Sequence, residues 1–274
     1  MSIAVHIRHR EEARRSLRRA VGKRLRALVK SGALSGAPPD IRRLEIDEIL
    51  QALLADSRPL VRRVLADCAG SIPRSVRVTL LLQLVSDTDP EVRYEAIEAI
   101  GSALENAPCP PALLRRLCDP DMLVRTAAAA ALGQIGDERV LKHLWPVLQD
   151  PVPLVRSYAA AAIGRLGNRL SIERLKARLA RERSSTARIG FYEAISSLGD
   201  ESLAVEGLVR LFAAEDYSVR CAAANCLGEI HLSGPRVPQV RAALRQAVGA
   251  ERTRAGREAL LRAIRVLRSR RRAP

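Results

Sequence analysis

The residues able to do chemistry in this sequence are four histidines, five cysteines and a regular series of aspartates and arginines. His6, His9, His143 and His231 fall in no H-E-x-x-H, no paired C-x-x-C accompanies them and no EF-hand loop is present, so no metal-ligand set is expected. G-x-S-x-G, Walker A and G-x-G-x-x-G are all missing. Glu95 and Glu98 share a helix face, an arrangement found more often on a solvated surface than in a general acid–base pair. Cys68, Cys109, Cys118, Cys221 and Cys226 are odd in number and lie mostly in Ala-rich pattern, which suits reduced core thiols of a cytoplasmic protein. The expectation is a non-enzyme with no catalytic residue and no cofactor.

The aspartates and arginines lead further, because they recur with a period. PLVRRVLADCAG, PEVRYEAIEAIG, MLVRTAAAAALG, PLVRSYAAAAIG, TARIGFYEAISSLG and YSVRCAAANCLG follow one template and end at Gly70, Gly101, Gly133, Gly164, Gly199 and Gly228. Successive spacings are 31, 32, 31, 35 and 29, and an eroded seventh copy, AGREALLRAIR, sets Arg265 at the glycine position. Each copy is preceded by another apolar-periodic run, such as IDEILQALL, VRVTLLLQLV or IERLKARLA. The unit is therefore a helix, a short turn and a second helix. Asp56, Asp87, Asp119 and Asp150 occupy the turn, where a carboxylate can accept from the free N–H groups opening the next helix. Alanines such as Ala96, Ala128 and Ala159 let neighbouring helices approach, and a lone pair cannot bury its apolar stripe, so the pairs must stack.

The pattern D-x-x-x-x-V-R-x-x-A-x-x-A-L-G, with its preceding amphipathic helix, resembles the HEAT repeat in the short bacterial form also found in phycobilin lyases. The resemblance covers about residues 41–269 and implies an all-α, right-handed α-solenoid of about seven helix pairs, first helices convex and second helices concave. It also implies that the aspartates join Arg62, Arg93, Arg125, Arg156 and Arg220 in a structural ladder. The fifth copy departs, with Gly190 and Phe191 in place of Val-Arg and Ser185 where Asp is expected, so an interrupted ladder and a bend are expected there.

Charge divides the chain. The net charge is +16, but residues 1–30 carry +8 and residues 251–274 carry +7, leaving +1 for the rest. Residues 1–40 are expected to form a basic helix and linker, 41–269 the repeats and 270–274 a basic tail. Arg14, Arg15, Arg18, Arg19, Lys23, Arg24, Arg270, Arg271 and Arg272 are the expected contacts for nucleic acid or an acidic surface. No stretch approaches the roughly 18 to 20 apolar residues of a membrane span, and the first residues lack the apolar core of a signal peptide. A further basic concentration runs from Arg165 to Arg188, mainly on a first helix.

Counting seven, six and three residues back from each glycine gives the side chains expected to point into the concavity. Tyr94, Glu95, Glu98, Thr126, Tyr158, Tyr192, Glu193 and Asn225 are among them, and no Lys or Arg appears from the second copy to the sixth. That face is a poor duplex channel, and the chain holds only seven aromatic residues for base stacking. A mildly acidic face with three tyrosines instead suits a polypeptide partner with basic or apolar side chains. The expected function is a protein-binding scaffold. Nucleic-acid association through the two basic ends is the alternative, ahead of a phycobilin-lyase-like or alkylpurine-glycosylase-like enzyme.

Overall fold

The computed structural model describes Arg19, Lys23 and residues 50–230, 232 and 235–269, and these contain no strand. The chain divides into two compact units, one ending at Ile135 and the other beginning at Gly136. In the first, residues 50–54 are helical, followed by α1 (Pro59–Cys68), α2 (Arg74–Leu84), α3 (Pro90–Ala103), α4 (Pro111–Arg115) and α5 (Met122–Ile135). The second holds α6 (Leu141–Val147), α7 (Pro153–Leu166), α8 (Ser171–Leu179), α9 (Ser185–Ser197), α10 (Glu201–Arg210), α11 (Tyr217–Glu229), α12 (Arg236–Ala250) and α13 (Arg254–Ser269). Odd-numbered helices are the second members of successive pairs.

Within each unit the odd helices stack on one another, α1 on α3 on α5 and α7 on α9 on α11 on α13, while the even helices flank them. Local chemistry starts and stops each element. Pro59, Pro90, Pro111 and Pro153 open helices, where a missing N–H costs no intrahelical bond. Asp89, Ser184, Asp200 and Asp216 cap others through their side chains. Gly199 turns the chain after α9 with φ of +110°, a conformation only glycine adopts without strain. Val92, Ile97, Ile100, Val124, Leu132 and Ile135 are completely buried in the first unit, and Val155, Ile163, Leu175, Phe191 and Leu208 in the second. Each such side chain contributes about 1.5–3 kcal/mol on leaving water.

The arginine ladder is built from one recurring geometry. Arg62 gives Nε and Nη2 to the two carboxylate oxygens of Asp87, at 2.6 and 2.8 Å, and its Nη1 to the carbonyl of Asp56, six residues back. Arg93 repeats this on Asp119 at 2.9 and 2.7 Å, Arg156 on Glu182 at 2.7 and 2.8 Å and Arg220 on Glu251 at 2.7 and 2.9 Å. Each rung thus ties a second helix to the turn of the following pair. The same carboxylates accept a backbone N–H two residues on, as Asp87 does from Asp89 and Glu182 from Ser184. Burial, the largest single influence, raises the Asp119 and Glu182 carboxyls, but the bonds and charge of Arg93 and Arg156 together with backbone N–H donors hold both below the usual range. Arg220 brings Glu251 down to about 2.

The fifth repeat corrects the sequence expectation. Arg188 donates Nε to the carbonyl of Glu182, six residues back, so Arg188 holds the ladder position and Glu182, not Ser185, is the acidic residue of that turn. The register ends at Ser196 rather than Gly199, which makes the spacings 31, 32, 31, 32 and 32. No interruption occurs between the fourth and fifth repeats. It comes one step later, because Ala214 replaces the carboxylate that Arg188 would meet, while Arg220 still reaches the Ala214 carbonyl.

Candidate polypeptide-binding face

The outward strip of the odd helices follows from 3.6-residue geometry applied in the corrected register. Positions ten and three residues before the glycine site, and the one after it, lie within a narrow sector of the helix. Most are open: Leu60, Leu123, Glu98, Gln134, Arg165 and Ser197 are exposed. Positions seven and six before it are largely covered, because small residues draw neighbouring odd helices together over them. Gly190 shows how closely: a Cβ there would lie 1.9 Å from the Ser157 carbonyl oxygen, and one on Gly164 2.3 Å from the Ala194 Cα.

The residues expected on this face are divided by that geometry. Tyr158 is 43% exposed on α7. Glu98 is exposed on α3, its carboxyl raised by burial and by Glu95. Tyr94 is half-buried, and Glu95 accepts from Arg63 Nε at 3.1 Å. Glu193 is half-buried and receives Arg165 Nη2 at 3.0 Å. Two expectations fail. Thr126 is buried, its hydroxyl donating to the Met122 carbonyl at 2.8 Å. Tyr192 is a core residue, 8% exposed, whose ring occupies the space above Gly207 of α10. The three-residue slip between Gly199 and Ser196 explains this, since Tyr192 falls on the inward row shared with Ile97, Ala129 and Ala160. Asn225 is half-buried on α11 with Oδ1 unpartnered among the described residues, as is Ser196 Oγ on α9.

Sequence counting missed the apolar part of the face. Of the seven exposed large apolar side chains among the described residues, six lie on odd helices: Leu60, Met122, Leu123, Tyr158, Tyr217 and Leu261. Leu60 and Leu123 each stand ten residues before their glycine, almost three turns back on the same helix face, and that spacing was the available signal. Of the nine expected contacts on the basic ends, only Arg19 and Lys23 are described, both helical and exposed. Arg14, Arg15, Arg18, Arg24, Arg270, Arg271 and Arg272 lie outside the described residues.

Elsewhere, a cleft of about 790 Å³ lies in the second unit, walled by Val209, Phe212, Ala247 and Leu260. Its one buried acid, Glu251, is already engaged by Arg220. No described group of three or more His, Cys, Asp or Glu side chains could hold a metal ion, and no described helix is long and apolar enough to cross a membrane.

Comparison with known proteins agrees with the repeat geometry. The HEAT-repeat family matches residues 46–110, 78–164 and 119–196, more than half of the chain. Among solved structures, the complex of CpcE and CpcF of phycocyanin lyase from Nostoc is similar, with 19% identity, a TM-score of 0.55 and coverage of 86% of this chain and 97% of that one. Human deoxyhypusine hydroxylase is matched at 23% identity with a TM-score of 0.39, over 82% of this chain and 96% of that one. No curated protein sequence matches significantly. With rungs, register and family match in agreement, the chain belongs to the HEAT-repeat proteins.

Proposed function

We propose that this protein is a non-enzymatic scaffold that binds a polypeptide partner along the open faces of its odd-numbered helices. The observation that carries the reading is that six of the seven exposed large apolar side chains among the described residues lie on those helices. Isolated exposed apolar residues are ordinary, but Leu60 and Leu123 both stand ten residues before their glycine sites, so the open strip of the first unit repeats an apolar anchor of the kind an interface core uses. Glu98 adds negative charge in the first unit, favouring basic side chains beside apolar anchors, while Glu91 is engaged by Arg63. The solved structure most informative for the fold is itself a complex of two chains, CpcE and CpcF, and that supports an assembly role by analogy.

The test compares variants of the full chain. Leu123→Glu in the first unit and Tyr158→Glu in the second are exposed substitutions that should leave the melting temperature nearly unchanged. Affinity purification from the native cell should recover a protein with the unaltered chain and lose it with either variant. Arg14→Glu with Arg18→Glu should retain it. Loss through the basic-end changes alone, together with co-purifying nucleic acid released by salt, would replace the scaffold reading with the nucleic-acid one.

A further inference from the structure

We infer that the face formed by α6 and α8 in the second unit is a separate docking surface for an acidic polypeptide segment. The inference does not depend on the odd-helix reading, since it concerns the other helix set. α8 buries Ile172, Leu175 and Leu179 and turns Arg174 outward. The Arg174 guanidinium lies over the Trp145 ring of α6, 4.0 Å from its centroid, which fixes the direction of a side chain that would otherwise sample many rotamers. One turn later Arg178 reaches the Leu148 carbonyl with Nη2, leaving Nε buried and unpartnered among the described residues. Arg181 follows just past the helix and is exposed, so it adds a second open guanidinium to Arg174 at the C-terminal end of α8.

The surface is rich in uncompensated positive charge. Lys176 is neutralised by Asp200 at 2.9 Å and Glu173 at 3.2 Å, and Arg165 by Glu193. Lys142, Arg169, Arg174, Arg181 and Arg183 are exposed and make no ion pair with any described residue. Beside them stands Leu170, 86% exposed and the only exposed large apolar residue among those described outside the odd helices. Guanidinium forks bind carboxylates bidentately, and an apolar residue on the same segment would cover Leu170. Duplex nucleic acid fits less well, because tight binders neutralise roughly six to ten phosphates. Single strands also lose their stacking platform, as Arg174 already covers one face of Trp145.

Trp145 is the sole tryptophan of the chain and a local reporter. A fluorescein-labelled peptide of glutamate and leucine is titrated into the full-length protein at physiological salt, with anisotropy giving affinity and unlabelled peptide shifting Trp145 emission. The emission should change at the concentrations that saturate anisotropy. Arg174→Glu with Arg181→Glu should weaken binding by about tenfold or more at unchanged melting temperature, whereas Arg14→Glu with Arg18→Glu should alter it by no more than about twofold. Should the Arg174 and Arg181 changes disturb folding, Lys142→Glu with Leu170→Ser, both exposed, must show the same loss. The inference is overturned if the matching glutamine–leucine peptide binds equally, or if the arginine variant binds as the unaltered chain does. It is also overturned if a duplex oligonucleotide shifts Trp145 at lower concentration than the peptide, which would assign the face to nucleic acid.

Discussion

Two consecutive joints in the second unit use the same sequence template and close differently. Between α7 and α9, Arg156 grips Glu182 with two bonds, and Gly164 and Gly190 allow backbone-to-backbone approach. Between α9 and α11 the carboxylate is replaced by Ala214, Ser196 occupies the glycine site, and the helices touch more sparingly. Ser196 Oγ on α9 and Asn225 Oδ1 on α11 are both unpartnered among the described residues. Rung and close approach are therefore lost together. The guanidinium spans from one second helix to the next turn, and it makes two bonds there at Arg62, Arg93, Arg156 and Arg220. Buried pairs of this kind are weak evidence of net stability, but they specify register strongly.

Acid should expose the difference most, because it strikes every rung at once. The carboxyls of Asp87, Asp119, Glu182 and Glu251 lie below their ordinary values in the folded chain, Glu251 at about 2. A depressed folded-state value means that the stabilisation is fully present above the unfolded-state value, near about 4.3 for glutamate, and is lost as pH falls toward the folded one. Melting temperature should be flat above about pH 5 and fall steeply between about pH 4.5 and 2.5. Arg156→Met should shorten that acid limb, and Arg188→Met, with no carboxylate opposite, should leave it as it is. Identical acid limbs for the two variants would mean that the rungs do not govern acid stability.

At neutral pH the same pair of variants separates by size. Arg156→Met strands Glu182, whose side chain is only 7% exposed, and a buried charge left alone costs about 3–5 kcal/mol. Arg188→Met gives up one bond to a backbone carbonyl and should cost about 1 kcal/mol. Chemical denaturation measures both. Glycine substitutions come next. Gly190→Ala forces a Cβ onto the Ser157 carbonyl, and relieving that overlap should cost about 1–3 kcal/mol. Ser196→Ala at the looser joint should be neutral or slightly stabilising, since it removes a hydroxyl that has no partner. A costly Ser196→Ala beside a harmless Gly190→Ala would reverse the comparison.

The two joints also show which parts of the molecule could be seen in the sequence. Helix pairs and turn positions are visible because a period of 31 or 32 residues repeats the same local requirement, and the arginine–aspartate rungs are what the resemblance to the HEAT repeat implies. The fifth copy was misplaced because its most conspicuous glycine, Gly199, serves a turn with positive φ, whereas the helix-packing site holds Ser196. That slip carried Tyr192 from the core row to the open face. Glu182 was overlooked because it breaks the aspartate pattern while keeping the constraint that matters, an acid six residues before the ladder arginine. Even spacing, rather than residue identity, was the signal to follow. Of the proposed binding face, the exposure of Tyr158 and Glu98 is legible from helical phase, but the covering of Thr126 is not, because it depends on how closely neighbouring helices approach.

A modest expected gain is also the most direct reconstruction. Ala214→Asp places a carboxylate at the position held by Asp87, Asp119 and Asp150 in other turns, facing a ladder arginine whose Nη groups have no described partner. The aspartate would also accept from the N–H two residues on, as Asp87, Asp119 and Asp150 do. The gain should be modest, about 0.5–1.5 kcal/mol, because side-chain ordering and desolvation of both charges offset the new bonds. A stability change alone could arise from altered charge, so the decisive measurement is a double-mutant cycle with Arg188→Met. Coupling of about 0.5 kcal/mol or more between positions 188 and 214 would demonstrate a new rung. Additive effects would mean that the wider approach of α9 and α11 keeps the groups apart, making helix separation the cause of the missing rung and Ala214 its consequence.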